Sequence, residues 1–156
     1  MRGDVDAAVM FPTFYAGAKR ALGDRYRELR TPSYSTQFLL VASANMVDKN
    51  PKVVRGVLSA LLKGEQIVKK DPAGSQQAVV RYVKGAQNLD AIKTSWAEHN
   101  HRMMLAPPLL DLMVREGKWI QASGRIKNVA PTAALFRPYF KEGHLKALAG
   151  DRVTLK

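Results

Sequence analysis

The chain has 156 residues, of which 46% are hydrophobic and 24% are charged, and it contains no cysteine. This length and composition fit one ordinary globular domain and argue against wholesale disorder. The lack of cysteine excludes disulfides and cysteine-ligated metal sites, and no apolar run is long enough to span a bilayer. The formal net charge of +12 favours nucleic acid or another anionic surface as a partner.

The N-terminal third of the chain predicts strands around one helix. Residues 5–10 (VDAAVM) form a short apolar run that is typical of a buried strand. Helix formers over 14–22 predict a helix that ends at Gly23, because glycine favours the position after a helix C-terminus. Residues 26–30 form a possible second strand. Residues 36–43 (TQFLLVAS) give the clearest strand pattern, with apolar side chains on both faces.

Helical periodicity dominates the remainder of the chain. Asn50 and Pro51 supply a typical N-cap and first helical residue, and apolar residues then recur at helical spacing up to Lys70. Asp71-Pro72 breaks this helix. Further helices are predicted over 75–84, over 88–100 with Asp90 as a possible cap, and from 109 to near Gly124, with short helices in the tail from Asn128.

Two or three strands followed by four or five helices make a lopsided α/β architecture. So few strands do not cover that much amphipathic helix surface. Either the chain is mainly a helical domain, or the strands that complete its sheet belong to another segment.

Three stretches of the chain, taken in order, resemble one protein family. Residues 3–10 (GDVDAAVM) are similar to a G-x-V-D-A strand, and residues 38–43 (FLLVAS) lead into Lys49-Asn50-Pro51 and then Val53-Val54-Arg55. The remaining order is similar as well: the Asp71-Pro72 break, the Trp96 helix, the helix of residues 109–112 (LLDL) with Trp119, and the Pro138-Tyr139 tail. The family is that of the extracytoplasmic solute-binding proteins of ABC importers, of the nitrate, taurine and aliphatic-sulfonate type.

This resemblance implies a fold and a location. The fold is of class α/β, a partial type II periplasmic-binding-protein-like fold with few strands at the N-terminus and a mostly helical C-terminal part. Residues 1–35 are expected to be the end of the second lobe and the hinge (strand–helix–strand), and residues 36–156 the C-terminal part of the first lobe. A missing N-terminal half is expected to hold the signal peptide, and the protein is expected to be periplasmic or extracytoplasmic.

The resemblance also implies a function, the capture of a small anionic or zwitterionic solute such as a sulfonate, taurine or nitrate for import. The expected partners are that solute and the membrane permease of the importer, with no nucleic acid, no cofactor and no metal. Because the strand over 36–43 is apolar on both faces, a fragment of such a protein is also expected to self-associate.

Five residues are the expected ligand-binding set. Phe11, Pro12 and Thr13 follow the first predicted strand, where ligands collect in open α/β sheets beside a helix N-terminus. Tyr34 and Ser35 precede the clearest strand, at the expected hinge near the cleft mouth. The alternatives are that Phe11 packs in the core, that Thr13 caps a helix, and that Tyr34 and Ser35 form an ordinary turn.

The sequence does not predict an enzyme. No G-x-S-x-G elbow, P-loop or G-x-G-x-x-G motif occurs. His99 and His101 would point about 200° apart on a helix, so we expect a solvated helix end there and not a metal site. Trp96 and Trp119 recur at helical spacing and are expected in the core. A synthase-like enzyme related to the same family would need an active site with histidine and cysteine.

The alternative function is that of a basic helical nucleic-acid-binding protein. The basic excess is spread evenly over both halves of the chain, and no basic run is longer than two residues. This evenness favours a generally basic, solvated surface. On the helix predicted over 51–70 we expect the basic side chains to scatter around the axis: Lys52, Arg55, Lys63, Lys69 and Lys70.

Overall fold

The computed structural model describes residues 4–11, 14–30 and 36–155. Helices make up 62% of these residues, and the described ranges contain no β-sheet. The α-helices are α1 (Tyr15–Leu22), α2 (Ala44–Lys49), α3 (Pro51–Lys70), α4 (Pro72–Tyr82), α5 (Leu89–Trp96), α6 (Pro107–Ala122), α7 (Ala133–Phe136) and α8 (Glu142–Leu148), with 3-10 turns at Gly23–Arg25, Arg137–Tyr139 and Gly150–Arg152.

The predicted α/β fold, a partial type II periplasmic-binding-protein-like fold, is wrong for the described residues. None of the three predicted strands, over 5–10, 26–30 and 36–43, forms a strand. An apolar pattern can make a segment extended, but a strand also requires a neighbour that completes its hydrogen-bond ladder. Within the described ranges, β-pairing is limited to an isolated parallel bridge between Leu105 and Val153.

The helix predictions fare better because their signals are local. The longest helix is confirmed at Pro51–Lys70, and so are the helices that end at Gly23 and near Gly124. Gly23 has a φ of 53° and Gly124 a φ of 75°, which is the left-handed backbone that glycine adopts without steric cost. The short helices of the tail are also confirmed.

Capping side chains account for the boundaries that differ from prediction. The helix predicted from 75 begins at Pro72, because Asp71 is its N-cap and accepts a hydrogen bond from the Gly74 N–H at 2.8 Å. Asn88, and not Asp90, caps α5, which ends at Trp96. The helix α2 was not predicted, although Ser43 caps it by accepting from the Met46 N–H at 3.2 Å.

The chain divides into two compact units. Unit 1 comprises Met1–Ser35 and Ile67–His101, and unit 2 comprises Thr36–Gln66 and Arg102–Lys156. In unit 1, α4 packs against α5, and Ala18 and Ile92 are buried. In unit 2, α6 packs against α7 and α8 packs against the last 3-10 turn. The buried apolar side chains of unit 2 are Leu110, Leu145 and Leu155.

A buried carboxylate joins three segments of unit 2. The side chain of Glu65 on α3 is 6% exposed. Its Oε2 accepts a hydrogen bond from the Met103 N–H at 2.8 Å, and its Oε1 accepts one from Arg152 Nη1 at 3.0 Å. Beside it, the Leu105 N–H donates to the Arg152 carbonyl at 2.8 Å and the Thr154 N–H donates to the Leu105 carbonyl at 2.9 Å. The carboxylate thus holds α3, the segment before α6 and the C-terminal segment together.

We predict that Glu65→Ala costs unit 2 about 3–5 kcal/mol of unfolding free energy, because it leaves the Arg152 guanidinium and the Met103 N–H without their acceptor. Denaturant unfolding measures this loss. The matched control is Glu98→Ala, which removes an ion pair to Arg30 whose side chains are 58% and 30% exposed. Exposed pairs contribute little, so a loss no larger than the control's would contradict the assigned role of Glu65.

A second prediction concerns Gly117 on α6, which lies against the buried Pro131. A Cβ added there would lie 2.7 Å from Pro131 Cβ and 3.1 Å from Phe136 Cζ. We expect Gly117→Ala to destabilise the protein by about 1–3 kcal/mol through overpacking. A Cβ at Gly64, on α3, meets nothing within 4 Å. Gly64→Ala should therefore stabilise by about 0.5–1 kcal/mol, and equal thermal shifts of the same sign would contradict the close contact at Gly117.

Candidate functional site

Phe11 is the one member of the predicted ligand-binding set within the described ranges; Pro12, Thr13, Tyr34 and Ser35 lie outside them. The Phe11 side chain is 60% exposed, and its carbonyl accepts a hydrogen bond from the Phe14 N–H at 2.9 Å in the turn that leads into α1. Phe11 therefore does not pack in a core, so that alternative does not hold. It presents an aromatic ring at the start of a helix.

Arg30 is the centre of a polar cluster in unit 1. It forms ion pairs with Glu28 and Glu98, and its Cζ lies 5.7 Å from the centroid of the Tyr15 ring on α1. The Tyr26 hydroxyl donates to Glu28 at 3.0 Å. The hydrogen bond from Arg30, followed by that from Tyr26, lowers the pKa of the Glu28 carboxyl. Because Arg30 is engaged by two carboxylates, it is a structural cation in this arrangement and not a free anion-binding group.

The two segments that carry the family resemblance expose their apolar side chains. In residues 4–11, Val5 is 70% exposed and Val9 is fully exposed. In the second segment, four consecutive apolar residues are exposed: Phe38 by 85%, Leu39 by 54%, Leu40 by 57% and Val41 by 82%. We call these four residues the FLLV segment. A contiguous exposed apolar run of this kind marks an interaction surface.

Helix α3 adds a further exposed apolar row in unit 2. Val53, Val57 and Leu61 recur every four residues and are 54%, 44% and 46% exposed. Residues at this spacing lie on one side of a helix. Unit 2 thus has two apolar surfaces that its own described residues leave in contact with water.

The expected scatter of basic residues on α3 is wrong. The helix is continuous over Pro51–Lys70, and each residue turns the chain by about 100°. Lys52, Lys63 and Lys70 therefore lie within about 20° of one another, Arg55 lies about 60° to one side and Lys69 about 100° to the same side. All five are exposed, so they form a basic stripe over about one third of the helix circumference.

Trp119 on α6 is not a core residue, contrary to prediction, because 64% of it is exposed. The Cζ of Arg125 lies 5.8 Å from the centroid of the indole ring, within range of a cation–π interaction. Arg115 and Lys118 are exposed and lie within about 100° of Trp119 around the helix axis. Helical spacing shows which residues share a side but not whether that side is buried. The basic neighbours of Trp119 were the signal for exposure.

The two histidines form a contact cluster with Trp96 after α5 ends. The His101 ring lies 4.5 Å from the Trp96 ring and 5.9 Å from the His99 ring, between centroids. Burial, followed by the charge of His99, lowers the pKa of His101. Among the described residues, no group of three or more His, Cys, Asp or Glu side chains is arranged to hold a metal ion.

No protein-family model matches the chain, and no curated protein or solved structure matches it significantly. In the described ranges, no helix has both the length and the apolar character needed to cross a membrane. The family resemblance therefore depends on the motifs of the sequence alone.

Proposed function

We propose that the chain is part of the extracytoplasmic solute-binding component of an ABC importer, which captures a small anionic or zwitterionic solute such as a sulfonate, taurine or nitrate and delivers it to the membrane permease. One observation carries the proposal. The segments on which the resemblance depends, residues 4–11 and 38–43, lie outside helices and expose their large apolar side chains. Such segments require cover from further polypeptide, as expected for one part of a larger binding protein.

The charge distribution supports an anionic solute. Arg30, Arg137 and Arg152 are engaged in ion pairs with carboxylates, whereas the lysines and most other arginines of the described ranges are exposed. The exposed cations of a chain with net charge +12 produce a positive field, which raises the local concentration of anions and their association rate. The proposal needs no catalytic group, cofactor or metal.

We predict that calorimetry with taurine, short alkanesulfonates and nitrate gives binding no tighter than about 1 mM, near −4 kcal/mol, because much of the expected contact set is not assembled around Phe11. Phe11→Ala should remove this weak binding without lowering the melting temperature, since the side chain is 60% exposed.

Phe14→Ala is the matched control, because Phe14 is 62% exposed, three residues further along, and outside the expected ligand-binding set. The control should leave binding unchanged. No heat from any of the solutes at tens of millimolar would contradict the proposed function. Binding that survives Phe11→Ala would contradict the assigned site.

Trp119 favours a second candidate, a nucleic-acid-binding function, which reverses the expectation that nucleic acid is not a partner. An exposed indole beside Arg115, Lys118 and Arg125 combines a stacking surface with phosphate-binding charges, the combination that single-stranded nucleic acid requires. The basic stripe of α3 adds charge of the same sign. The mostly helical fold of the described residues is also what this function leads one to expect.

A fluorescence titration with an oligothymidylate at two salt concentrations tests the second candidate. In a Trp96→Phe background the indole signal comes from Trp119 alone. We expect quenching on binding, a loss of affinity with salt that corresponds to several phosphate contacts, and a further loss on Trp119→Ala of about 1–3 kcal/mol. Binding that is insensitive to both salt and Trp119→Ala would contradict this function.

A further inference from the structure

We propose that two copies of this chain associate through the segment that contains Phe38, Leu39, Leu40 and Val41. The two segments pair as antiparallel strands about a two-fold axis that passes between Leu39 and Leu40. This inference does not depend on the proposed function, because it uses only the exposure, charge and order of residues in unit 2.

The first support is exposure. The four side chains of the FLLV segment point to both sides of an extended chain, and each is more than half exposed. In the described ranges no strand pairs with residues 38–43. A segment with large apolar side chains and no strand beside it is a template for pairing with another chain. The segment also has a defined end, because Ser43 caps α2 through the Met46 N–H at 3.2 Å.

Charge identifies the second copy as the occupant. Each copy carries a net charge of +12, so most surfaces of two copies repel one another. Residues 36–47 contain no charged side chain, and Asp48 is the first after them. This is the surface on which two basic copies approach at least electrostatic cost. An acidic partner would instead seek the basic stripe of α3 or the surroundings of Trp119.

The order of residues selects one antiparallel register. With the axis between Leu39 and Leu40, Phe38 of one copy faces Val41 of the other, and Leu39 faces Leu40. All four large apolar residues are then paired with one another, and Phe–Val is an aromatic–β-branched pair of the kind that stabilises antiparallel strands. A shift by one residue in either direction would place Val41 opposite Gln37 or Phe38 opposite Ala42, which loses one of these pairs at each end of the ladder.

The test combines single charges with their restoration. In the proposed register, Phe38→Lys or Val41→Glu alone places two unpaired charges in the interface. The double variant F38K/V41E instead forms two Lys–Glu pairs, one at each end of the axis. Both side chains are more than 80% exposed in the single chain, so the circular dichroism and melting of the monomer should not change. Leu29→Lys, at a residue that is 98% exposed in unit 1, is the control for added charge.

Light scattering and sedimentation across a tenfold dilution give the readout. We expect the wild-type chain and Leu29→Lys to show the same concentration-dependent dimer. Each single variant should raise the dimer dissociation constant by about tenfold or more, and the double variant should recover most of that loss.

Three outcomes would overturn the proposal. A wild-type chain that is monomeric at all concentrations shows that the segment does not recruit a second copy. Single variants that still dimerise with wild-type affinity show that another surface is used. A double variant no better than the single ones rules out the register. Association that occurs only with a different polypeptide is the first of these outcomes, since the chain alone is then monomeric.

Discussion

The packing of unit 2 depends on the pairing of one buried carboxylate. Glu65 is the buried charged residue among the described residues, and burial of a charge without partners is too costly to persist. The carboxylate therefore fixes where the Met103 N–H and the Arg152 guanidinium lie. Once these are placed, the parallel bridge between Leu105 and Val153 follows, and Leu110, Leu145 and Leu155 form the apolar neighbourhood of unit 2. A polar constraint thus organises a unit whose buried apolar set is small.

The helices of this protein could be predicted from sequence because their determinants lie close together in the chain. Pro51, Gly23 and Gly124 mark helix ends through the backbone conformation that each residue permits. The strands could not be predicted in the same way. Apolar alternation in residues 36–43 indicates a side-chain pattern, but a strand depends on a partner that no local pattern supplies. The Glu65 contacts were also missed, since nothing near Glu65 in sequence indicates Arg152.

The candidate sites divide along a similar line. The sequence could identify Phe11 as an aromatic residue before a helix, and the structure places it in solvent. It could not show whether the side of α6 that carries Trp119 is buried, because periodicity is the same for a core face and an exposed face. The basic stripe of α3 is a matter of arithmetic on a continuous helix. Only the unbroken course of Pro51–Lys70 makes that arithmetic valid.

The Glu65–Arg152 contact has a consequence for the order in which the chain folds. The two residues are 87 positions apart, and closing so long a loop is slow compared with forming α3 or α6. During synthesis, Glu65 leaves the ribosome well before Arg152 exists. In that interval its carboxylate must stay hydrated, so the C-terminal part of α3 cannot settle into its final packing. Unit 2 therefore closes late, as the C-terminal residues arrive, whereas α4 and α5 of unit 1 can pack as soon as residue 96 has emerged.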